Sequence, residues 1–320
     1  MRPGRAPVPE PRVHAAGRAW PVPAGSNLLD ALNGAGLRVP YSCRSGSCHA
    51  CLVRCVRGEL LDERPEALSE ERRDQGWRLA CQCRVVGDVE VRLFDPAHDG
   101  LPARVASLDW LGSRVLRLRV QPERPLRYEA GQHLVLWADT GVARPYSLAS
   151  LPGDPWLEFH LDCRQGGAFS DVARHLRPGN PLRLGELRGG ALHYDPDWSE
   201  RPLWLLAAGT GLAPLWGVLR EALRQHHQGP IRVIHQANDE VGHYLAEPLR
   251  ALAAAHPQLQ VQLVAESEQA AVLAELRLVS RQTLALLCGS PASVEAFARR
   301  LFLIGVPRNQ VLADLFLPHA

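Results

Sequence analysis

The sequence predicts a chain in three parts: a small mixed unit of helix and strand, an antiparallel barrel or sandwich, and a doubly wound parallel α/β unit. Three observations carry that reading. Three cysteines crowd into "CRSGSCHAC" at residues 43–51, and alternating apolar and polar runs broken by Gly, Pro and Asp fill residues 103–197. From residue 198 onward, short apolar strands alternate with helical stretches.

A chain of 320 residues is too long for one ordinary core. With 46% apolar and 22% charged residues it reads as globular, and a formal charge of +2 singles out neither nucleic acid nor membrane lipid as a partner. All 36 basic residues are arginine. The proline-rich opening "MRPGRAPVPEPRV" has no apolar run, so neither signal peptide nor anchor is expected. No window reaches the roughly 18 apolar residues of a membrane span. The expected compartment is the cytoplasm, where clustered cysteines more often bind metal than form disulfides.

In the first part, residues 1–94, "HAAGRAWPVPAG" has hairpin chemistry. "SNLLDALNGAG" reads as a short helix with Ser26 or Asn27 as its cap and Gly34 or Gly36 at its end. In "DVEVRLF", Val89, Val91 and Leu93 alternate with Glu90 and Arg92, as in a strand with one buried face. "DPAHDGLPA" has the turn chemistry of a linker, placed at residues 95–102. The second part, 103–197, holds alternating runs such as "RVLRLRV" and "WLEFHLD". The third, 198–320, has apolar strands near 203–208, 231–236, 259–264, 283–288 and 310–316, with helices such as "PLWGVLREALRQH" and "SVEAFARRLFLIG" between them.

Cys43, Cys48 and Cys51 have the Cys-x4-Cys-x2-Cys spacing of a 2Fe-2S site, which takes a fourth cysteine from farther along. The small residues between them let backbone N–H groups turn inward on the sulfurs. Alternation puts both Cys81 and Cys83 on one face of a strand, and spacing does not choose between them. "VPYSCRSGSCHACLVRCVRGEL" followed by "WRLACQCRV" resembles the plant-type 2Fe-2S ferredoxin domain over residues 10–94. The resemblance implies a β-grasp fold and names Cys81, in its Leu-Ala-Cys-Gln segment, as the fourth ligand. His49 stands where that family usually has glycine. The competing reading is a structural zinc centre or a set of buried thiols. Zinc sites usually pair two Cys-x2-Cys knuckles, and one such pair exists here. Cys55, Cys83 and Cys163 are read as buried small hydrophobes.

In the second part, "RPYSLAS" places Arg144 and Tyr146 on one side of a strand, beside Ser147. A guanidinium suits a phosphate and an aromatic face suits a flat ring, although the same pair makes an ordinary cross-strand patch. "GGAFS", residues 166–170, opens a helical stretch whose small residues bring N–H groups onto an anion. With "YEAGQ" at 128–132, these segments resemble the flavin domain of the ferredoxin-NADP reductase superfamily. The resemblance implies a β-barrel with Arg144, Gly167 and Ser170 at the flavin phosphate, Tyr146 on the isoalloxazine and Ser147 near its N5. "GELRG", where the family often has Gly-Pro-x-Gly, leaves FAD against FMN open, with FAD expected.

"LLAAGTGLAPLWGVL" runs an apolar strand into Gly209, Thr210 and Gly211, then a helix beginning near Ala213 and Pro214, a geometry that admits a pyrophosphate. This segment and "LLCGSP" resemble the nicotinamide domain of the same superfamily, implying that Cys288 and Gly289 lie beside the nicotinamide C4. Read alone, Cys288 is a buried residue at a strand end. In "HQANDEVGHYL", Asn238 takes the position of a family arginine and is followed by Asp239 and Glu240, which favours NADH over NADPH because carboxylates repel a 2′-phosphate. Phe316 resembles the C-terminal aromatic that covers the flavin in related bacterial reductases.

NAD(P)H gives two electrons as a hydride and a 2Fe-2S centre takes one at a time, so a flavin between them serves as adapter. The whole chain thus resembles the reductase component of multicomponent bacterial oxygenases. The implied catalytic residues are Cys288, Tyr146, Ser147 and Phe316, and the implied partners are NAD(P)H and a downstream redox protein such as an oxygenase component. The alternatives are a free-standing flavin or ferric reductase, a redox-sensing module without steady turnover, and the zinc-stapled structural protein.

Overall fold

The computed structural model describes residues 10–189 and 191–317; the proline-rich start, residues 1–9, lies outside them. Two compact units result, residues 1–100 and 101–320.

In the first unit, Ala16 and Gly17 both adopt positive φ, as a two-residue hairpin turn between twisted strands requires, and join β1 (Arg12–Ala15) to β2 (Arg18–Pro21). Asn27 caps α1 (Leu28–Gly34). The helix ends in a Schellman motif: Gly36, at φ +83°, donates to the Asn33 carbonyl and Leu37 donates to that of Leu32. After the cysteine loop come β3 (Leu52–Arg57), β4 (Leu60–Asp62), α2 (Glu70–Asp74), β5 (Trp77–Leu79), β6 (Cys83–Val85) and β7 (Val89–Leu93). The main sheet has the order β2-β1-β7-β3-β5, with β1 and β7 parallel and the other pairs antiparallel. Leu28, Leu29 and Leu32 on one face of α1 pack with Val13, Val53, Val89 and Val91 of the sheet, the β-grasp arrangement. The segment expected as a linker is folded: α3 (Pro96–Asp99) is held by a two-pronged Arg92–Asp99 pair, both bonds 2.9 Å.

The second unit begins two residues earlier than the alternation suggests, with β8 (Leu101–Leu111), followed by β9 (Val115–Pro122), β10 (His133–Ala138), β11 (Ala143–Ser147), β12 (Leu157–Asp162), α4 (Ala168–Ala173) and β13 (Pro181–Arg188). These strands form one antiparallel sheet, β11-β10-β13-β8-β9-β12. It curls until its end strands approach, Ala149 N–H donating to the Glu158 carbonyl at 2.8 Å, and is an open half-barrel built around Leu118, Leu134, Leu136, Phe159 and Leu161.

Then come β14 (Leu203–Ala208), α5 (Leu212–Arg224), β15 (Ile231–Ala237), α6 (Ala246–Ala255), β16 (Leu259–Ala265), α7 (Gln269–Glu275), β17 (Leu284–Gly289), α8 (Pro291–Leu303) and β18 (Val311–Leu315). The parallel order β16-β15-β14-β17-β18 reverses between β14 and β17. Leu203, Leu205 and Ala207 face α5 and α6, while Trp204 and Leu206 face α7 and α8. Each fully buried leucine in these two layers contributes about 1.5–3 kcal/mol. Among the described residues no helix is long and apolar enough to cross a membrane.

Candidate functional site

The cysteine loop is held by polar residues with two jobs each. Asn27 accepts from Asp30 N–H to cap α1, while its amide donates to the Cys81 carbonyl at 2.8 Å. Gln82 donates both to the Arg44 carbonyl, at 2.8 Å, and to the Cys81 sulfur, at 3.1 Å. Within the loop, Arg44, Gly46 and His49 all take left-handed backbone, which explains the glycine that the ferredoxin pattern has at position 49. A side chain at Gly46 meets the Gln82 Cγ at 3.2 Å.

The sulfurs fall into two pairs, Cys43 with Cys48 and Cys51 with Cys81. Backbone N–H groups point at them: those of Ser45 and Cys48 at Cys43, both 3.3 Å, that of Ala50 at Cys48 and that of Gly46 at Cys81. The Cys43 thiol falls to about 3, chiefly by its bond with Cys48 and also through Ser45 and Ser47. That of Cys81 falls to about 7 through Cys51 and Gln82, while the partner thiols of Cys48 and Cys51 are pushed up by the same contacts and by burial. Donors aimed at sulfur favour thiolate, the form that binds metal. Four cysteine sulfurs in two pairs are the donor set that a two-iron cluster takes.

The structure corrects the expectation that Cys81 and Cys83 share a face of one strand. A 3-10 turn, Ala80–Gln82, separates β5 from β6, turning Cys81 toward Cys51 and Cys83 into the core. Burial pushes the Cys83 thiol up, as it does for Cys163 and Cys288. Cys55 is half-buried rather than buried, its thiol facing the Arg57 and Gly58 carbonyls.

In the second unit, β11 carries Arg144, Tyr146 and Ser147. The Arg144 guanidinium donates to the Ala143 carbonyl and has no acidic partner among the described residues, which fits a phosphate. Tyr146 packs on Phe169 of α4 at 5.3 Å, and burial pushes its phenol up. Ser147 is buried. Gly167 precedes α4, and the Ser170 hydroxyl donates back to the Gly167 carbonyl at 3.0 Å. Of "YEAGQ", Tyr128 donates to the Leu151 carbonyl and shares a hydrogen bond with the Ser150 hydroxyl, fastening the chain that leaves β11. "GELRG" continues β13 and is not a turn.

Gly209, Thr210 and Gly211 form the turn from β14 into α5, which starts one residue before Ala213. No side chain caps α5, so its first N–H groups remain available to an anion. A Cβ on Gly211 lies 2.3 Å from the Cys288 carbonyl oxygen, and one on Gly289 lies 2.7 Å from the Ala208 Cβ. The two glycines therefore let the ends of β14 and β17 abut where the strand order reverses, the place where open α/β sheets bind ligands. Cys288 is fully buried there, and Phe316 N–H donates to the Gly289 carbonyl at 2.8 Å. Asn238 and Glu240 are exposed. Asp239 is held by Arg114, at 2.8 Å, and by Gly242 N–H, interactions that keep its carboxyl below the usual range.

Sequence reasoning passed over Gln82, Arg114 and the set around half-buried Tyr244, and named Asn27 only as a possible helix cap. Tyr244 meets His160 Nδ1 at 3.2 Å, and His160 Nε2 meets Glu158 at 3.0 Å. The "LACQ" segment signalled Gln82 and the cap position signalled Asn27; no local signal marked the others.

The 2Fe-2S iron-sulfur cluster binding domain family matches residues 13–86, and the oxidoreductase NAD-binding domain family matches residues 205–299. The chain is 32% identical to the ferredoxin–NAD(P)+ reductase component of the naphthalene 1,2-dioxygenase system of Pseudomonas putida, over 94% of this chain and 96% of that protein. It is 33% identical to reductase component 1 of the terephthalate 1,2-dioxygenase of a Comamonas species, over 73% and 71%. Among solved structures, the Amycolatopsis cytochrome P450 reductase GcoB superposes with a TM-score of 0.66 at 27% identity, covering 96% of this chain and 99% of that one. The ferredoxin reductase of a carbazole 1,9a-dioxygenase, at 22% identity and a TM-score of 0.65, shares the fold over 96% and 98%. The chain belongs to the family of NAD(P)H-dependent, iron-sulfur ferredoxin reductases that serve as reductase components of oxygenase systems.

Proposed function

We propose that this protein carries electrons from NADH through FAD to a 2Fe-2S cluster held by Cys43, Cys48, Cys51 and Cys81, and on to an oxygenase component in the cytoplasm. The paired sulfurs with N–H donors aimed at them carry the reading. When bound, a flavin takes two electrons from reduced nicotinamide and passes them singly to an iron-sulfur centre. Arg144 and the N–H groups near Gly167 and Ser170 are assigned to the flavin phosphates, Tyr146 to the ring face and Ser147 to the ring's reactive edge. Gly209, Thr210 and Gly211 are assigned to the nicotinamide pyrophosphate. Cys288, Gly289 and Phe316 are assigned to the wall of the nicotinamide pocket; Cys288, fully buried, shapes that wall from behind. Residues 1–94, 103–197 and 198–320 are accordingly assigned as ferredoxin, flavin and nicotinamide domains, with 95–102 between the first two.

The preference for NADH is supported by exposed Asn238 at the arginine position and exposed Glu240 beside it. Asp239 contributes less than the sequence suggests, because Arg114 balances its charge. Cys43 is the one cluster cysteine that is not buried, which supports electron exit on its side of the loop.

Metal, sulfide and flavin analysis of the purified protein tests the assignment. The expected content is about two irons and two sulfides per chain, with FAD released on denaturation. Zinc without sulfide contradicts it. The free-standing reductase alternative predicts efficient reduction of free flavin or ferric chelates and no rate gain from an added oxygenase component.

A further inference from the structure

Three walls meet at Tyr244. Its hydroxyl reaches His160 on β12 of the half-barrel, and its ring packs edge-on against His160 at 5.3 Å and His235 at 5.8 Å. His235 in turn meets the Gly209 carbonyl through Nε2, at 3.0 Å, in the glycine turn. His160 has no side-chain exposure, while Tyr244 is half-buried.

The hydrogen bonds have one consistent direction. Glu158 is paired with Arg119 at 2.8 Å; burial acts to raise its carboxyl, but His160 and Arg119 outweigh burial and hold it at about 2. An ionised carboxylate only accepts, so His160 Nε2 carries the proton. Burial pushes the ring below its ordinary value and, with smaller help from Arg117 and Arg119, outweighs the adjacent Glu158 carboxylate, which pushes it up, so the ring is neutral. Nδ1 is then a lone pair, and it accepts the Tyr244 O–H. The chain runs Tyr244 to His160 to Glu158 across the junction of the half-barrel and the parallel sheet.

We infer that Tyr244 and His160 are positioning residues for electron transfer from nicotinamide to flavin, fixing the Tyr244 ring against His235 and, through it, the glycine turn so that the nicotinamide ring stands at reacting distance. This rests on the function proposed above. Misplacement by about 1 Å costs on the order of a hundredfold in such steps, while binding through the pyrophosphate stays intact.

Stopped-flow reduction of the flavin-loaded protein over a range of NADH concentrations separates the limiting rate from Kd. Tyr244→Phe and His160→Gln, which each remove the Tyr244 bond, are expected to lower the limiting rate tenfold to a hundredfold and change Kd less than about threefold. The double variant is expected to lose no more than either single one, because both remove one bond. His160→Asn keeps an acceptor near the Nδ1 position and is expected to fall between them and the wild type; it carries the test if His160→Gln loses its flavin. Nitrogen-15 spectra of the wild type supply a readout independent of turnover, with His160 expected as the neutral Nε2–H form. Tyr244→Phe reducing at the wild-type rate, or His160 carrying its proton on Nδ1, overturns the inference alone. A wild-type flavin that NADH does not bleach overturns the electron path as well.

Discussion

Replacing Gly211 by alanine puts a methyl group where backbone already stands. Its Cβ lies 2.3 Å from the Cys288 oxygen, 2.5 Å from its carbonyl carbon and 2.7 Å from Gly289 N, and none of these is the end of a flexible side chain. Restoring ordinary contact at about 3.4 Å requires the glycine turn and the end of β17 to part by about 1 Å, against the β14–β17 ladder that pairs Ala207 with Cys288. Overpacking of this kind costs up to about 3 kcal/mol, which is roughly a 6–12 °C fall in the melting temperature of a 220-residue unit. The same displacement is expected to slow flavin reduction about a hundredfold. Gly209 is the internal control. It has φ +55° with nothing within 4 Å of an added Cβ, so Gly209→Ala meets only the left-handed penalty of about 1 kcal/mol, or roughly 2–4 °C. Calorimetry of both variants, with flavin fluorescence following the second unit, checks the ranking. Equal melting temperatures for the two variants, or a Gly211→Ala protein within 2 °C of wild type, refutes the close approach of the two strand ends.

Asn27→Ala removes both a helix cap and the bond to the Cys81 carbonyl; it is expected to lose about 2 kcal/mol in the first unit and to bleach faster at 400–500 nm on warming. Gln82→Leu takes one donor from the Cys81 sulfur. A loss of about 1 kcal/mol in favour of the oxidised cluster corresponds to a potential about 40 mV more negative, measurable by a dye-coupled titration. Acid should weaken the second unit in two steps of the same sign. His160 is held below its ordinary 6.5 and Glu158 at about 2 against 4.5, so both contribute stability that is present above those ordinary values and lost as pH falls below them. The Glu158 part is about 3 kcal/mol, lost between pH 4.5 and 2, and Glu158→Gln should flatten that limb of a pH–denaturation profile.

The parallel sheet was legible nearly to the residue: strands expected at 203–208 and 231–236 lie at Leu203–Ala208 and Ile231–Ala237. Leu203–Ala208 is a continuous apolar run covered on both faces, the pattern least open to misreading, and Ile231–Ala237 pairs beside it with Arg232, His235 and Gln236 among its apolar residues. The cysteine loop was legible for a chemical reason, because few uses other than metal binding put three thiols among glycine and serine. Cys81 and Cys83 were not separable, since a single turn of 3-10 helix between two three-residue strands leaves no periodic trace. The curl of the half-barrel was also hidden, because alternation reports which face is buried and not how a sheet closes. His160 shows the limit best. Leu157, Phe159 and Leu161 mark the core face of β12, which assigns Glu158 and His160 to solvent; the segment carrying Tyr244, more than 80 residues later, covers them. The bonds of Asn27 to the Cys81 carbonyl and of Gln82 to the Arg44 carbonyl were obscured in the same way, since those partners are set by the fold and not by neighbouring sequence.

The central claim is that electrons from NADH reach the cysteine-bound cluster through a flavin in this one chain. An anaerobic visible titration with NADH, repeated with NADPH, tests it most directly. The account predicts that flavin and iron-sulfur bands both bleach, at lower concentrations of NADH than of NADPH. Flavin bands that bleach while the iron-sulfur bands persist, or a protein with no iron-sulfur absorbance at all, contradict it.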